Sequence, residues 1–174
     1  MKKALNLVLV AVLVLGIFAS SALAADLKVG KVEWAAHGNK CFTIAFVVLD
    51  GDTIIRAYID EYQFLPAAEA VGVPNSDVAN GFAADFANPE RVLASKKVNN
   101  EYYSNNMAKA GSTVAIADNF RAIEAFAEGK TVAELENILA SYSKTELVDT
   151  VTGATLVDTD GYLRAIVEAA KVAQ

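Results

Sequence analysis

Residues 41–62 read CFTIAFVVLDGDTIIRAYIDEY. Phe42, Ile44, Phe46 and Val48 recur at every second position over residues 41–49, which is the period of a β-strand. Asp50-Gly51-Asp52 follows, a turn signal of the kind that joins two strands of a hairpin. The alternation resumes over residues 53–62, with Ile55, Ala57 and Ile59 on one side. Upstream, residues 28–37 form another strand-like run, closed by the turn-like His37-Gly38-Asn39-Lys40. Three consecutive strands with short connections predict an antiparallel meander with at least one face buried.

Downstream the pattern changes. Pro66, Gly72, Pro74 and Pro89 punctuate Ala-rich pieces, where short helices between loops are expected. VNNEYYSNNM (residues 98–107) is polar and reads as an exposed loop or a helix start. Residues 115–128 place Ile116, Phe120, Ile123 and Ala127 at helical spacing, with Gly129 as the stop. Thr131 and Glu134 form a capping box that opens another helix, whose buried side is Leu135, Ile138 and Leu139. A last helix over residues 160–172 carries Leu163, Ile166, Val167 and Ala170 in one apolar stripe. The predicted architecture is α+β: an N-terminal antiparallel sheet with helices packed on one face, and a turn before the C-terminal helix.

The first residues, MKKALNLVLVAVLVLGIFASSALAADLK, have a different character. Lys2 and Lys3 precede an apolar run of about 15 residues, and Ala22-Leu23-Ala24 is a small-x-small cleavage site. The run is shorter than the ~20 residues of a spanning helix. A signal peptide over residues 1–24, cleaved after Ala24, is therefore expected, with residues 25–174 as one exported, extracytoplasmic domain, periplasmic or secreted. Without residues 1–24 the formal charge falls from −6 to about −8, because two lysines leave. A field of that sign repels phosphate backbones and argues against nucleic acid as a partner. Cys41 is the single cysteine, expected as a small buried hydrophobe that forms no internal disulfide. His37 is the single histidine, expected in an exposed loop. With no second histidine or cysteine, neither a soft metal site nor haem or iron–sulfur attachment is expected. No Gly-x-Ser-x-Gly elbow or triad is legible, so no catalytic residue is assigned.

Between the two C-terminal helical patterns lies LVDTVTGATLVDTDGYLRAI, residues 147–166. Its residues allow a capping turn, with Thr155, Asp158 or Thr159 as the N-cap and Gly153 as the tight bend. A calcium loop fails, because Leu156 and Val167 stand where that pattern needs acids. A phosphate site is the third reading: small residues admit close approach, and amides at a helix N-terminus favour an anion.

Asp149, Thr152, Gly153, Ala154 and Thr155 fit the pattern Asp, two variable residues, Ser or Thr, Gly, Ala, Thr. In this the chain resembles the FMN-binding domain family of covalently flavinylated extracytoplasmic electron-transfer proteins. The stretch 106–135, with its Glu128-Gly129-Lys130-Thr131 junction, and the strand pair around Asp50 are similar to members of the same family. The position two after the acceptor is Val157, where many members carry Ser or Thr. The resemblance implies that a flavin transferase uses FAD to join FMN through its phosphate to Thr155. It implies an electron carrier exchanging electrons with membrane-associated redox partners, rather than an enzyme with its own substrate. Thr152 and nearby amides would contact the phosphate, Gly153 and Ala154 would keep the turn open, and Asp149 would order it. Trp34, Tyr102 and Tyr103 are the candidate ring neighbours. The alternative is an extracytoplasmic binding or structural module of the same fold without flavin.

Overall fold

A computed structural model describes residues 26–74 and 88–174. The signal peptide expected over residues 1–24, and part of the Ala-rich region after Pro74, lie outside the described residues. Strands β1 (Leu27–Trp34), β2 (Cys41–Asp50), β3 (Thr53–Pro66) and β4 (Arg91–Ser95) pair in sequence order into one antiparallel sheet. Five helices follow among the described residues: α1 (Asn100–Lys109), α2 (Ile116–Ala127), α3 (Val132–Ser141), α4 (Lys144–Thr150) and α5 (Thr159–Lys171). This is the expected α+β arrangement, a sheet first and helices after it.

The hairpin at Asp50-Gly51-Asp52 forms where the sequence places it, and Gly51 takes a φ of 58°. The alternation of β2 is present with a particular sense. Thr43, Ala45, Val47 and Leu49 face the core, while Phe42 and Phe46 are exposed. The small residues turn inward because α5 packs directly on β1 and β2. On β3 the register slips between Val48 and Leu49 of its partner, so Ile54 and Ile59 are both buried despite their spacing. Ile55, expected on the Ala57–Ile59 side, is the bulged residue.

Beyond its pairing with β4, β3 would be a bare edge. Carboxylates on α2 and at its C-cap cover it: Ile59 N–H donates to Glu124 Oε1 at 2.7 Å, and Ala57 N–H to Glu128 Oε1 at 3.2 Å. The chain after α2 continues the cover, with Gly129 N–H donating to Ile54 O at 2.8 Å and Ile54 N–H to Lys130 O at 2.9 Å. Thr131 and Glu134 form the expected capping box on α3. Residues 98–107, one of whose readings was a helix start, fold into most of α1.

The core lies between the sheet and α5. Leu163, Ile166, Val167 and Ala170 are buried as expected, joined by Tyr162, Ala165 and Ala169. α2 adds Ile116, Phe120, Ile123 and Ala127. Each buried Leu, Ile, Val or Phe among them contributes about 1.5–3 kcal/mol. The turn between α4 and α5 joins this core through Val151 and Ala154 and lies against α2 at Asn119 and Ala122.

Candidate functional site

The turn that carries Thr155 is pinned at two core residues. Val151 and Ala154 are buried, whereas Thr152, Gly153 and Thr155 are exposed. Gly153 has a φ of 91°, a left-handed conformation that glycine alone adopts without strain, and a Cβ there would meet Ala122 Cβ at 3.4 Å. Ala154 N–H closes the bend onto Val151 O at 3.0 Å. Among the described residues, the amides of Thr152 and Gly153 donate to no protein acceptor. Asp149 is exposed on α4.

The acceptor residue itself is held from below. Asn119 of α2 is fully buried, and its Oδ1 accepts from Thr155 N–H at 2.6 Å and from Thr155 Oγ1–H at 3.2 Å. The Nδ2 of Asn119 donates to Val114 O and Ala115 O, both at 3.1 Å. Asn119 was not among the sequence candidates. Its signal was a polar residue inside the apolar stripe of α2, beside Ile116, Phe120 and Ile123.

The N-terminus of α5 differs from a free anion site. Thr159 N–H donates to Leu156 O at 3.1 Å and Gly161 N–H to Asp158 O at 2.9 Å. Asp158 is the N-cap, without a side-chain cap bond, and Asp160 is buried in the first turn. Two carboxylates already occupy the positive end of the helix, so a phosphate on Thr155 would have to use the preceding turn instead.

The next three residues, Leu156, Val157 and Asp158, line a pocket of about 100 Å³ together with His37, Lys96, Tyr103, Met107, Ile116 and Tyr162. Of the three aromatic candidates, Tyr103 is the one in this pocket. Tyr102 lines a neighbouring groove with Gln63 and Arg91, and Trp34 packs against the core from β1.

At the base of the pocket is a buried charge network that the sequence does not announce. Glu61 of β3 is fully buried and accepts from Lys96 Nζ, from Tyr162 OH at 2.9 Å and from Thr43 Oγ1 at 3.2 Å. His37 Nδ1 lies 3.6 Å from Glu61, and its Nε2 lies 3.7 Å from Asp158. The Lys96 ammonium stands 4.3 Å from the centre of the Tyr103 ring. His37 is exposed in the loop between β1 and β2, as expected, and its ring is also tied into the site. Cys41 is partly exposed, with Sγ 2.9 Å from His37 O, rather than a buried hydrophobe.

The ligand atoms of His37, Cys41 and Glu61 lie within 4.8 Å of one another, a grouping that the residue inventory did not foresee. The cation that Glu61 requires is already supplied by Lys96, whose ammonium is also 3.4 Å from His37 Nδ1. A metal ion there would have to displace that ammonium.

Burial works against ionisation of Glu61, but the hydrogen bond from His37 and the charge and hydrogen bond of Lys96 outweigh it and hold the carboxyl at about 2. Hydrogen bonding to Cys41 and then to Glu61 raises His37 to about 10, against partial burial and the Lys96 charge. Burial would lower Lys96, yet the adjoining Glu61 carboxylate raises it. Burial, followed by the Glu61 charge, pushes the Tyr162 hydroxyl up, so it stays a donor.

These shifts predict a pH window. The raised His37 contributes stability fully below about pH 6.5, and that contribution drains away as pH rises toward 10. The lowered Glu61 contributes above about pH 4.5 and loses its contribution as pH falls toward 2. Thermal melts should therefore peak between roughly pH 4.5 and 6.5. His37→Gln should flatten the alkaline limb and weaken the acidic one less, because Lys96 still holds Glu61 low after the His37 hydrogen bond is lost; an unchanged alkaline limb would show that His37 is not the group responsible. Comparison with protein-family models, curated protein sequences and solved structures found no match.

Proposed function

We propose that this chain is an exported flavoprotein electron carrier with FMN joined through its phosphate to Thr155. The observation that carries the reading is the disposition of the Asp149–Thr155 pattern: the acceptor residue is exposed while its backbone is fixed from beneath by Asn119. An enzyme acting in trans needs both properties in its acceptor. The unengaged amides of Thr152 and Gly153 supply donors for the phosphate within the same bend.

The attachment balances as a phosphoryl-type transfer from FAD. An Oγ–P bond forms at Thr155, the pyrophosphate P–O bond breaks, AMP leaves, and the hydroxyl proton passes to a base of the flavin transferase. The flavin supplies one- and two-electron chemistry once bound; the chain supplies tether and surroundings. The pocket beside Thr155, about 100 Å³, is well below the roughly 300–1,000 Å³ of an enclosing ligand site. A ring tethered there stays largely open to solvent, which suits electron exchange with membrane-associated redox partners more than catalysis on a private substrate. Covalent attachment suits export, because a diffusible cofactor is lost outside the cell.

The second reading, an extracytoplasmic module without flavin, is favoured by one observation: Asn119 already satisfies the Thr155 amide and hydroxyl, as a purely structural turn requires. Intact mass separates the two. Co-expression with a flavin transferase and export should add the mass of FMN less one water, retained after denaturation. Thr155→Ala should abolish the gain, and Thr150→Ala, at a variable position of the pattern, should retain it. Unmodified protein, with a transferase active on a control substrate, would overturn the flavin reading in favour of the second.

A further inference from the structure

We propose that Asn119 is a positioning residue for modification of Thr155, an inference that rests on the flavin reading above. A threonine hydroxyl carries one proton and two lone pairs. Here the proton is directed inward to Asn119 Oδ1 at 3.2 Å, and the residue is exposed on its other side. The lone pairs of Oγ1 are thereby left for an electrophile arriving from solvent. The 2.6 Å bond from Thr155 N–H to the same oxygen fixes the backbone, so the hydroxyl is presented from a defined point.

Asn119 is itself immobilised, because both protons of its amide are committed to Val114 O and Ala115 O just before and at the start of α2. It belongs to a rigid helix that also carries Phe120 and Ile123 into the core. Such a support gives the precise placement that displacement at phosphorus rewards, where a shift of about 1 Å costs on the order of 100-fold in rate. A neutral carboxamide is no base, so Asn119 orients the hydroxyl and does not remove its proton. The proton leaves to the transferase as the Oγ–P bond forms.

The test uses the purified, unmodified secreted chain with a flavin transferase and FAD, and follows FMN incorporation by intact mass as acceptor concentration varies. Asn119→Ala should lower kcat for modification by about 10- to 100-fold with little change in KM, and should speed hydrogen exchange at the Thr155 amide. Asn119→Asp keeps both acceptor contacts to Thr155 and loses the two donor contacts. It should therefore be modified faster than Asn119→Ala, even where its Tm is lower. If Asn119→Asp does not fold, the kcat–KM split and the Thr155 amide exchange of Asn119→Ala decide. An Asn119→Ala protein modified at the wild-type rate overturns the inference while leaving the flavin reading intact, as does a defect confined to KM. A wild-type chain that is never modified overturns the flavin reading and this inference with it.

Discussion

Glu61→Gln should lower stability by about 3–5 kcal/mol, the usual penalty for stranding one member of a buried ion pair. The substitution preserves shape and removes charge. Lys96, 1% exposed on its side chain, then lacks a counterion in the interior. Tyr162 OH and Thr43 Oγ1 retain an acceptor only if the new amide orients its oxygen toward them, and Lys96 competes for that same oxygen. At roughly 2–4 °C per kcal/mol for a chain of this length, Tm should fall by about 10 °C. The double variant Glu61→Gln, Lys96→Met should recover more than half of the loss, because removing both charges leaves no uncompensated group. Thermal melts of the two single variants and the double variant form a mutant cycle. A Glu61→Gln protein melting within a degree of wild type would show that the network is not a structural centre. The consequence reaches the pocket beside Thr155, since Lys96, Tyr162 and His37 all line it.

How much of this was legible in the sequence depended on whether the information was local. The hairpin at Asp50-Gly51-Asp52, the Thr131–Glu134 box and the stripe of α5 rest on spacing within a dozen residues, and all are present. β4 escaped because five residues are too few to display a period. α4, seven residues opened by a Ser143–Glu146 box, escaped for the same reason. The charge network could not be read at all. Its members come from the β1–β2 turn, β2, β3, the residue after β4 and α5, and no spacing connects them. The inward face of β2 required knowledge of its partner: two alternating sets were visible, and the close seat of α5 selected the one with smaller side chains. For the Thr155 turn, sequence located the motif and its bend, while the support from Asn119, 36 residues away, appeared only in three dimensions.

That close seat of α5 makes the second large prediction. Gly30 on β1 and Gly161 in the first turn of α5 are the points where the helix meets β1 and the loop just after it, backbone to backbone. A Cβ at Gly30 would lie 1.8 Å from Ala169 O, and one at Gly161 would lie 2.2 Å from Ala36 O. In both cases the obstacle is main chain, which no rotamer change relieves. Gly161→Ala in an exposed helix would gain about 1 kcal/mol from helix propensity; here the sign should reverse. Each alanine should cost about 3 kcal/mol, at the upper end of overpacking penalties, as α5 lifts from the sheet. The two sites should differ in what else they disturb. Gly161 adjoins Tyr162 and the Asp158 cap, so its displacement moves the Thr155 turn and should slow FMN incorporation beyond the loss of stability. Gly30 sits at the far end of the helix, where Val29 pairs with Gln174 through N–H···O bonds of 3.0 and 3.3 Å. Its alanine should lower Tm and leave incorporation into the folded fraction near wild type. Chemical denaturation with parallel mass analysis separates the two effects. Equal incorporation in both variants at matched folded fraction would mean that the seat of α5 governs stability alone, and that the turn keeps its geometry independently of the helix beneath it.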